Sequence, residues 1–315
     1  MGYFLFKSPR LGVFLCVVVV GGGSVWGRSF SRDARGTSAA PFLKLPVSAR
    51  SAGVGGAVTA LDGDAASLAW NPAGLASIEG RKAMLTHTPY LDKTVYSNGI
   101  YAQPWLGGGV AVGFGYFDAG TIDETESEAG SSVGSFHPAD GAASVGYGRQ
   151  IGGWAFGVAG KYVTTRVIHS DSTLAMDVGL LSPRYWANRV QGGAAAKNLG
   201  GTLALAETSR SLPVEYSVGA VVRPWPVMLI SGDLKFPRDD DPTVALGTEG
   251  FWIPKVGWTL VARTGWSGTT DSGLGGLAGI TLGMGVSCNA LTVDYAFSPV
   301  NDLGNAHRVS IGFSF

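Results

Sequence analysis

Cysteine is nearly absent from this sequence. Two occur in 315 residues, Cys16 and Cys288, and Cys16 falls in an apolar N-terminal stretch that reads as a leader. A processed chain keeps one thiol, so no intramolecular disulfide can hold it together. Charge is scarce as well. Only 15% of residues are Asp, Glu, Lys or Arg, against about a quarter in ordinary soluble domains. Acids and bases cancel at 23 each, which leaves no electrostatic footprint for nucleic acid. Beyond about the first two dozen residues, no run approaches the roughly 18 apolar residues of a spanning helix. Metal-ligand spacing of Cys and His, a phosphate loop and the His-Glu-x-x-His motif are missing, and His87, His137, His169 and His307 are scattered. No metal, cofactor or enzymatic activity is expected.

What is present is glycine and aromatic residues: 49 Gly, 9 Trp, 10 Tyr and 14 Phe. The opening residues carry Lys7 and Arg10, then the apolar run Leu11–Val20, then small residues. That order is a secretory signal. Cleavage after Gly27 fits, with Val25 at −3, and Gly23 would also serve; the alternative is an uncleaved anchor. Phe14-Leu15 before Cys16 argue against a lipoprotein.

From Arg81 onward the dominant period is two. In "GWAFGVAGKYVT", Trp154, Phe156, Val158 and Tyr162 share one face and Ala155, Gly157, Ala159 and Lys161 the other. "LTVDYAF" sets Leu291, Val293, Tyr295 and Phe297 against Asp294, and "RVSIGFSF" sets Val309, Ile311, Phe313 and Phe315 against Arg308, Ser310 and Ser314. One face is large and apolar; the other is small or charged. About fourteen such runs begin near Ala83, Thr94, Gly108, Ala139, Trp154, Thr173, Arg189, Val214, Val227, Thr243, Gly257, Leu274, Ala290 and Ala306. Most span about 9–13 residues, near the roughly 9–11 a tilted strand needs to cross a bilayer.

The connections alternate. "PWLG", "RQIG", "RPWP", "IPK" and "SCN" are short; "DAGTIDETESEAGSSVGSFHP", "GGTLALAETSRSLP", "FPRDDDP" and "SPVNDLGN" are long. Short periplasmic turns with longer outer loops mark outer-membrane barrels. Lipid offers backbone groups no water, so a sheet there must close on itself. Trp105, Trp154, Trp186, Trp225, Trp252 and Trp258 lie near strand ends, where interfacial girdles belong. The expected fold is therefore all-β: a closed antiparallel transmembrane barrel of about fourteen strands, residues 81–315, in the outer membrane and in contact with its lipid. A soluble sandwich, the alternative, would have shorter strands and a polar outer face.

On the small face, the ionisable residues expected in the lumen are Lys161, Asp177, Lys197, Glu215, Asp233, Glu249, Arg263, Asp294 and Arg308. Five acids and four bases suggest mutual pairing around a plug or narrow conduit. The plainer reading is that they only hold the barrel's shape. Acidic runs Asp123-Glu124-Glu126-Glu128 and Asp239-Asp240-Asp241 fall on outer loops, either solvated or binding cations. One pattern, Gly130-Ser131-Ser132-Val133-Gly134, matches G-x-S-x-G but lacks the strand before and helix after that a nucleophile elbow requires.

The residues before the wall differ in kind. "DAASLAWNPAGLASIEG" holds a short helix, Ala65–Trp70, capped by Asp62 or Asp64. A type I turn follows, with Asn71 at i, Pro72 at i+1, Ala73 next and Gly74 at i+3. The stretch is too short to fold alone. A barrel of this size has a lumen that side chains need not fill, so residues 28–80, after a 1–27 signal peptide, are expected to form a hatch inside it.

"ARSAGVGGAVTALDGDAASLAWNPAGLA" resembles the N-terminal signature of FadL-like and PorV-type outer-membrane barrels, and especially spirochaetal FadL-like paralogues. "KNLGG", "LPVEYSVGA", "GTEGFW", "DYAFSP" and "LGNAHRVSIGFSF" match the PorV-type pattern. The resemblance implies a 14-stranded barrel, a hatch carrying Asn71, Pro72, Ala73 and Gly74, and uptake of long-chain fatty acids or other hydrophobic small molecules. Leu203–Ala206 is a candidate capture surface, or merely lies on lipid. PorV-type relatives imply a second class: a non-transporting barrel that anchors a periplasmic or exported protein. A third is a surface structural protein. C-terminal Phe315 is expected to address the outer-membrane assembly machinery.

Overall fold

The computed structural model describes residues 29–90, 94–125, 132–166, 170–205, 208–268, 279–299 and 305–315. Fourteen strands form a closed antiparallel ring. The first three are β1 (Lys82–Pro89), β2 (Val95–Trp105) and β3 (Gly108–Asp118). A small hairpin, β4 (Ile122–Thr125) with β5 (Ser132–Phe136), stands outside the ring. The wall resumes with β6 (Ala139–Ile151), β7 (Trp154–Arg166), β8 (Ser170–Leu181) and β9 (Val190–Leu199). A second hairpin, β10 (Thr202–Leu205) with β11 (Thr208–Ser211), interrupts it. Then follow β12 (Glu215–Trp225), β13 (Met228–Pro237), β14 (Thr243–Lys255), β15 (Trp258–Ser267), β16 (Ile280–Cys288), β17 (Leu291–Pro299) and β18 (Asn305–Ser314). Pairing of β1 with β18, from Lys82↔Ser314 to His87↔Val309, closes the circle and leaves the ring no free edge.

The period-two pattern explains the wall. Leu85, Val112, Phe114, Phe156, Tyr162 and Leu174 are exposed on the outer surface, while their neighbours Ala111, Ala155, Lys161, Val163 and Ala175 are buried inside. Thirteen of the fourteen expected strand starts fall close to observed ones; the one near Leu274 lies outside the described residues, and that strand is described from Ile280. The two hairpins outside the ring are additions within loops expected to be irregular.

Five wall turns have two residues between strands, at 106–107, 152–153, 226–227, 256–257 and 289–290. Leu106 and Gly107 both have positive φ, 48° and 75°, as the primed hairpin turns require. Residues 182–189 make the one longer turn described at that end. Trp105, Trp154, Trp186, Trp225 and Trp252 are exposed at this same rim, and Trp258 starts β15 there with Lys255 Nζ 4.8 Å from its ring centre.

The N-terminal segment runs through the ring. Phe30 donates its amide to the Arg238 carbonyl (2.7 Å) and Ala39 to that of Ser211 (2.9 Å), both at the long-connection end. Farther along, Arg81 and Phe315 exchange backbone hydrogen bonds of 2.8 and 2.9 Å at the short-turn end. Between these points lie α1 (Ala49–Gly53), α2 (Ser67–Trp70) and 3-10 turns at Pro41–Lys44 and Pro72–Ser77. Val54, Leu61, Leu68, Trp70, Leu75 and Ile78 form one apolar cluster with the wall residues Ile100, Ala155, Leu181 and Val221. The core of this protein thus lies inside the barrel, between segment and wall.

Candidate functional site

A row of glycines seats the Asn71-Pro72-Ala73-Gly74 element. Gly109 pairs with Gly148, Gly148 with Gly157, and Gly157 with Gly179, across β3, β6, β7 and β8. The row has no side chains, and the backbone from Asn71 to Leu75 presses into it. A Cβ on Gly157 would lie 2.1 Å from both the Ala73 amide nitrogen and the Pro72 carbonyl carbon; one on Gly148 would come within 2.6 Å of the Pro72 oxygen, and one on Gly179 would strike the Asn71 side chain. Much of the glycine that the composition advertises is explained by close approach of one backbone to another.

Asn71 is fully buried. Its Nδ2 donates to the carbonyls of Thr59 (2.7 Å), Leu180 (3.3 Å) and Ala194 (3.4 Å), and its Oδ1 accepts from the Ala73 amide (3.1 Å). Gly74 donates to the Asn71 carbonyl (3.0 Å), the bond of the expected turn, which continues as the 3-10 helix Pro72–Ser77 with Asn71 as its cap. The preceding helix is shorter than expected: it starts at Ser67, not Ala65. Asp64 bonds the Ala66 amide (2.9 Å) and the Ser67 amide bonds the Asp64 carbonyl (3.1 Å), making a tight turn first. Asp62 caps nothing; it pairs with Arg184 at 2.8 Å.

Seven of the nine expected lumen charges pair among themselves. Lys161 meets Asp177 at 2.6 Å and Lys197 meets Glu215 at 2.9 Å. Arg263 bridges Glu249 at 2.8 Å and Asp294 at 2.6 Å. Asp233 binds the N-terminal segment instead, accepting from the Val58 and Thr59 amides (2.8 and 2.9 Å) and the Thr59 hydroxyl (2.7 Å). One decisive residue escaped the sequence reading. Arg50, on α1, reaches Glu249 at 2.7 Å and Asp64 at 3.2 Å, tying the segment to the wall. Burial alone would disfavour its charge, but Glu249 and Asp64 hold the guanidinium above its ordinary value. A lone base inside an Ala/Gly-rich stretch was the available signal.

Arg308 is the exception among the nine. It is 2% exposed. Its Nε donates to Thr88 Oγ1 at 3.0 Å, and among the described residues no carboxylate pairs with it. It lines a cavity of about 520 Å³ with Tyr90, Lys44, Lys235 and Glu215, between the N-terminal segment and the wall. A smaller cavity of about 120 Å³ adjoins it, sharing Lys44 and Lys235 and reaching Phe42, Tyr96 and Leu68.

The long-connection mouth corrects one expectation and narrows another. Asp239, Asp240 and Asp241 are neither a solvated run nor a cation site: they pair with Lys44 (2.6 Å), Arg35 (2.7 Å) and Arg32 (2.6 Å). Of the stretch Leu203–Ala206, Leu203 is fully buried with Phe42 and Leu212 and so offers no capture surface, whereas Ala204 is exposed; Ala206 lies outside the described residues, as do Glu126 and Glu128. Among the described residues no cluster of His, Cys, Asp and Glu suits a metal. The described part of the G-x-S-x-G match, residues 132–134, belongs to the strand β5, with no helix after it.

No protein-family model and no curated protein sequence matches the chain. Solved structures do. The chain is similar to the toluene transporter TbuX of Ralstonia pickettii, with a TM-score of 0.56 and 13% identity over 86% of this chain and 98% of that one. The toluene transporter TodX of Pseudomonas putida gives 0.55 and 12% identity over 84% and 96%. A FadL homologue of Pseudomonas aeruginosa gives 0.55 and 11% over 85% and 98%. The chain has the fold of these proteins: it is a FadL-like, closed, 14-stranded outer-membrane-type barrel.

Proposed function

We propose that the chain is an outer-membrane channel for hydrophobic small molecules such as long-chain fatty acids, with residues 28–80 as its hatch and residues 1–27 removed on export. The observation that carries this reading is the roughly 520 Å³ cavity against the N-terminal segment, with the buried Arg308 in its wall, which meets no carboxylate among the described residues. An unpaired buried cation is costly unless a counter-charge arrives, and the carboxylate of a fatty acid is such a counter-charge. The apolar side chains of the segment offer the tail a surface. The names of the similar structures, toluene transporters among them, support a hydrophobic cargo. No covalent step is involved. Cargo enters from the long-connection end, rests above the hatch, and leaves when the hatch rearranges or the wall yields.

Labelled palmitate binding to the purified protein tests the first half of this reading. Deletion of residues 62–76 tests the second, through a rise in planar-bilayer conductance. Absence of both effects refutes it.

A second reading, a barrel that anchors a protein partner, draws on the turn 182–189. There Trp186, Ala187 and Asn188 all have positive φ, from 49° to 65°, and Tyr185 and Trp186 stand exposed. Stoichiometric co-purification of one periplasmic or exported protein, lost on Trp186→Ser, would favour it. Phe315, exposed at the same rim, is the proposed contact for the assembly machinery.

A further inference from the structure

The short-turn rim is charged one way. Five bases are exposed there, Arg81, Arg149, Arg184, Arg189 and Lys255, against one exposed acidic side chain, Glu79. Arg184 is held by Asp62 and Lys255 lies over Trp258, but among the described residues Arg81, Arg149 and Arg189 pair with no carboxylate. The bases are spread around the ring, at β1, at β6, between β8 and β9 and at the end of β14. A globular protein partner would meet a patch; a lipid leaflet surrounds the barrel and meets a ring.

Two of these bases flank the hairpin of β2 and β3 on its outer side. Gly148 faces the Pro72–Ala76 backbone inside, so alternation turns Arg149 outward, opposite the exposed Phe156. Its guanidinium lies by the turn at 106–107: a Cβ on Gly107 would stand 3.9 Å from Nη2. Trp105 and Leu106 are exposed beside it. Arg81 faces outward for the same reason, because Lys82 reaches inward to the Gly63 carbonyl at 2.6 Å. Next to Arg81 the outer wall is hollowed. A groove of about 460 Å³ runs over Ala83, Leu85, Gly99, Tyr101, Val112 and Phe114. Its polar group is the Tyr101 hydroxyl, which donates to Gln103 Oε1 at 3.0 Å, on the rim side.

We propose that this groove and the two arginines form a seat for one anionic phospholipid. An acyl chain lies over Gly99 and Val112, and Arg81 and Arg149 meet the phosphate at the rim. Guanidinium pairs with phosphate through parallel N–H bonds, and exposed tryptophan marks the headgroup level. A headgroup with net negative charge is preferred to a zwitterion, because the rim carries little acid to repel it. The seat stands on the barrel's outer face, and rests neither on transport nor on the palmitate cavity.

Native mass spectrometry of the full-length protein, released from micelles holding phosphatidylglycerol and phosphatidylcholine in equal amounts, tests it. Phosphatidylglycerol stays bound at least about fivefold over phosphatidylcholine, the factor that one base near an anionic lipid supplies. Arg81→Gln with Arg149→Gln brings the ratio near one. Arg166→Gln, which removes an exposed base at the far end of β7, leaves it unchanged. Val112→Trp fills the groove without altering charge and lowers phosphatidylglycerol retention severalfold. The comparison of lipids on the unaltered protein needs no variant to fold. Equal retention of both lipids, displacement of phosphatidylglycerol by its chain-free headgroup glycerophosphoglycerol at equal concentration, or capture of an acidic protein by the rim in place of lipid overturns the proposal.

Discussion

Adding one methyl group at Gly157 should loosen the N-terminal segment. The Cβ would lie 2.1 Å from the Ala73 amide nitrogen and the Pro72 carbonyl carbon, and these are backbone atoms that cannot rotate aside. Overpacking of this kind costs about 1–3 kcal/mol. Gly160, three residues along the same strand, is the control: it is exposed on the outer face, and a Cβ there meets nothing within 4 Å. Gly160→Ala should therefore stabilise by about 0.4–1 kcal/mol, because alanine narrows the unfolded ensemble. The two substitutions are chemically identical and should differ by about 1.5–4 kcal/mol, a separation of several degrees in the midpoint of the heat-induced gel shift. Single-channel recording gives the second readout. If the segment stops the lumen, Gly157→Ala raises conductance or its fluctuation, and Gly160→Ala does not. Identical midpoints and identical conductance for both variants would refute the argument that the glycine row exists to receive Asn71–Leu75.

Other expectations follow from the same geometry. Glu249→Gln leaves Arg50 and Arg263 without their shared carboxylate and should destabilise the barrel by about 3–5 kcal/mol, read by the same midpoint; a loss below about 1 kcal/mol would show that water already screens the cluster. Replacing Asp240 and Asp241 together by Asn should barely move that midpoint, since their pairs with the exposed Arg35 and Arg32 are worth about 0–1 kcal/mol each. It should, however, speed tryptic cleavage at Arg32 and Arg35. Leu174→Arg, on the outer face, should cost about 2–4 kcal/mol when the protein folds into lipid vesicles if that position sits near mid-membrane; unaltered folding would place that face in water. Arg308→Met should weaken palmitate binding at least about tenfold without lowering the midpoint, and a fall in the midpoint with binding intact would give Arg308 a purely structural role.

Much of the wall was legible without coordinates because its information is local. Alternation places Phe156 and Tyr162 outside and Lys161 inside, whatever lies next to β7. The two-residue turns announce themselves through Gly107, Gly152 and Gly257, and tryptophans mark the rim. The Asn71–Gly74 turn was readable from residue types at four consecutive positions. The helix before it was overextended, because its start depends on Asp64, whose carboxylate also answers to Arg50, fourteen residues away.

What alternation cannot supply is register. Two facts that organise the interior are facts of register: Lys197 stands directly opposite Glu215 and Glu249 opposite Arg263, and four glycines line up across four strands. A shift of two residues in any one of these pairings would preserve every inward and outward assignment and destroy the match that pairing carries. The acidic run at 239–241 shows the same limit. Its composition suits solvent, yet the fold brings Arg32, Arg35 and Lys44 to it from some 200 residues away in the chain. The sequence by itself therefore determined the strands, their faces and their turns, since these follow from side-chain spacing along one chain. Tertiary structure alone decided which charges neutralise one another, where the N-terminal segment lies, and that Arg308 is left facing a cavity, because those depend on how the ring closes around what it contains.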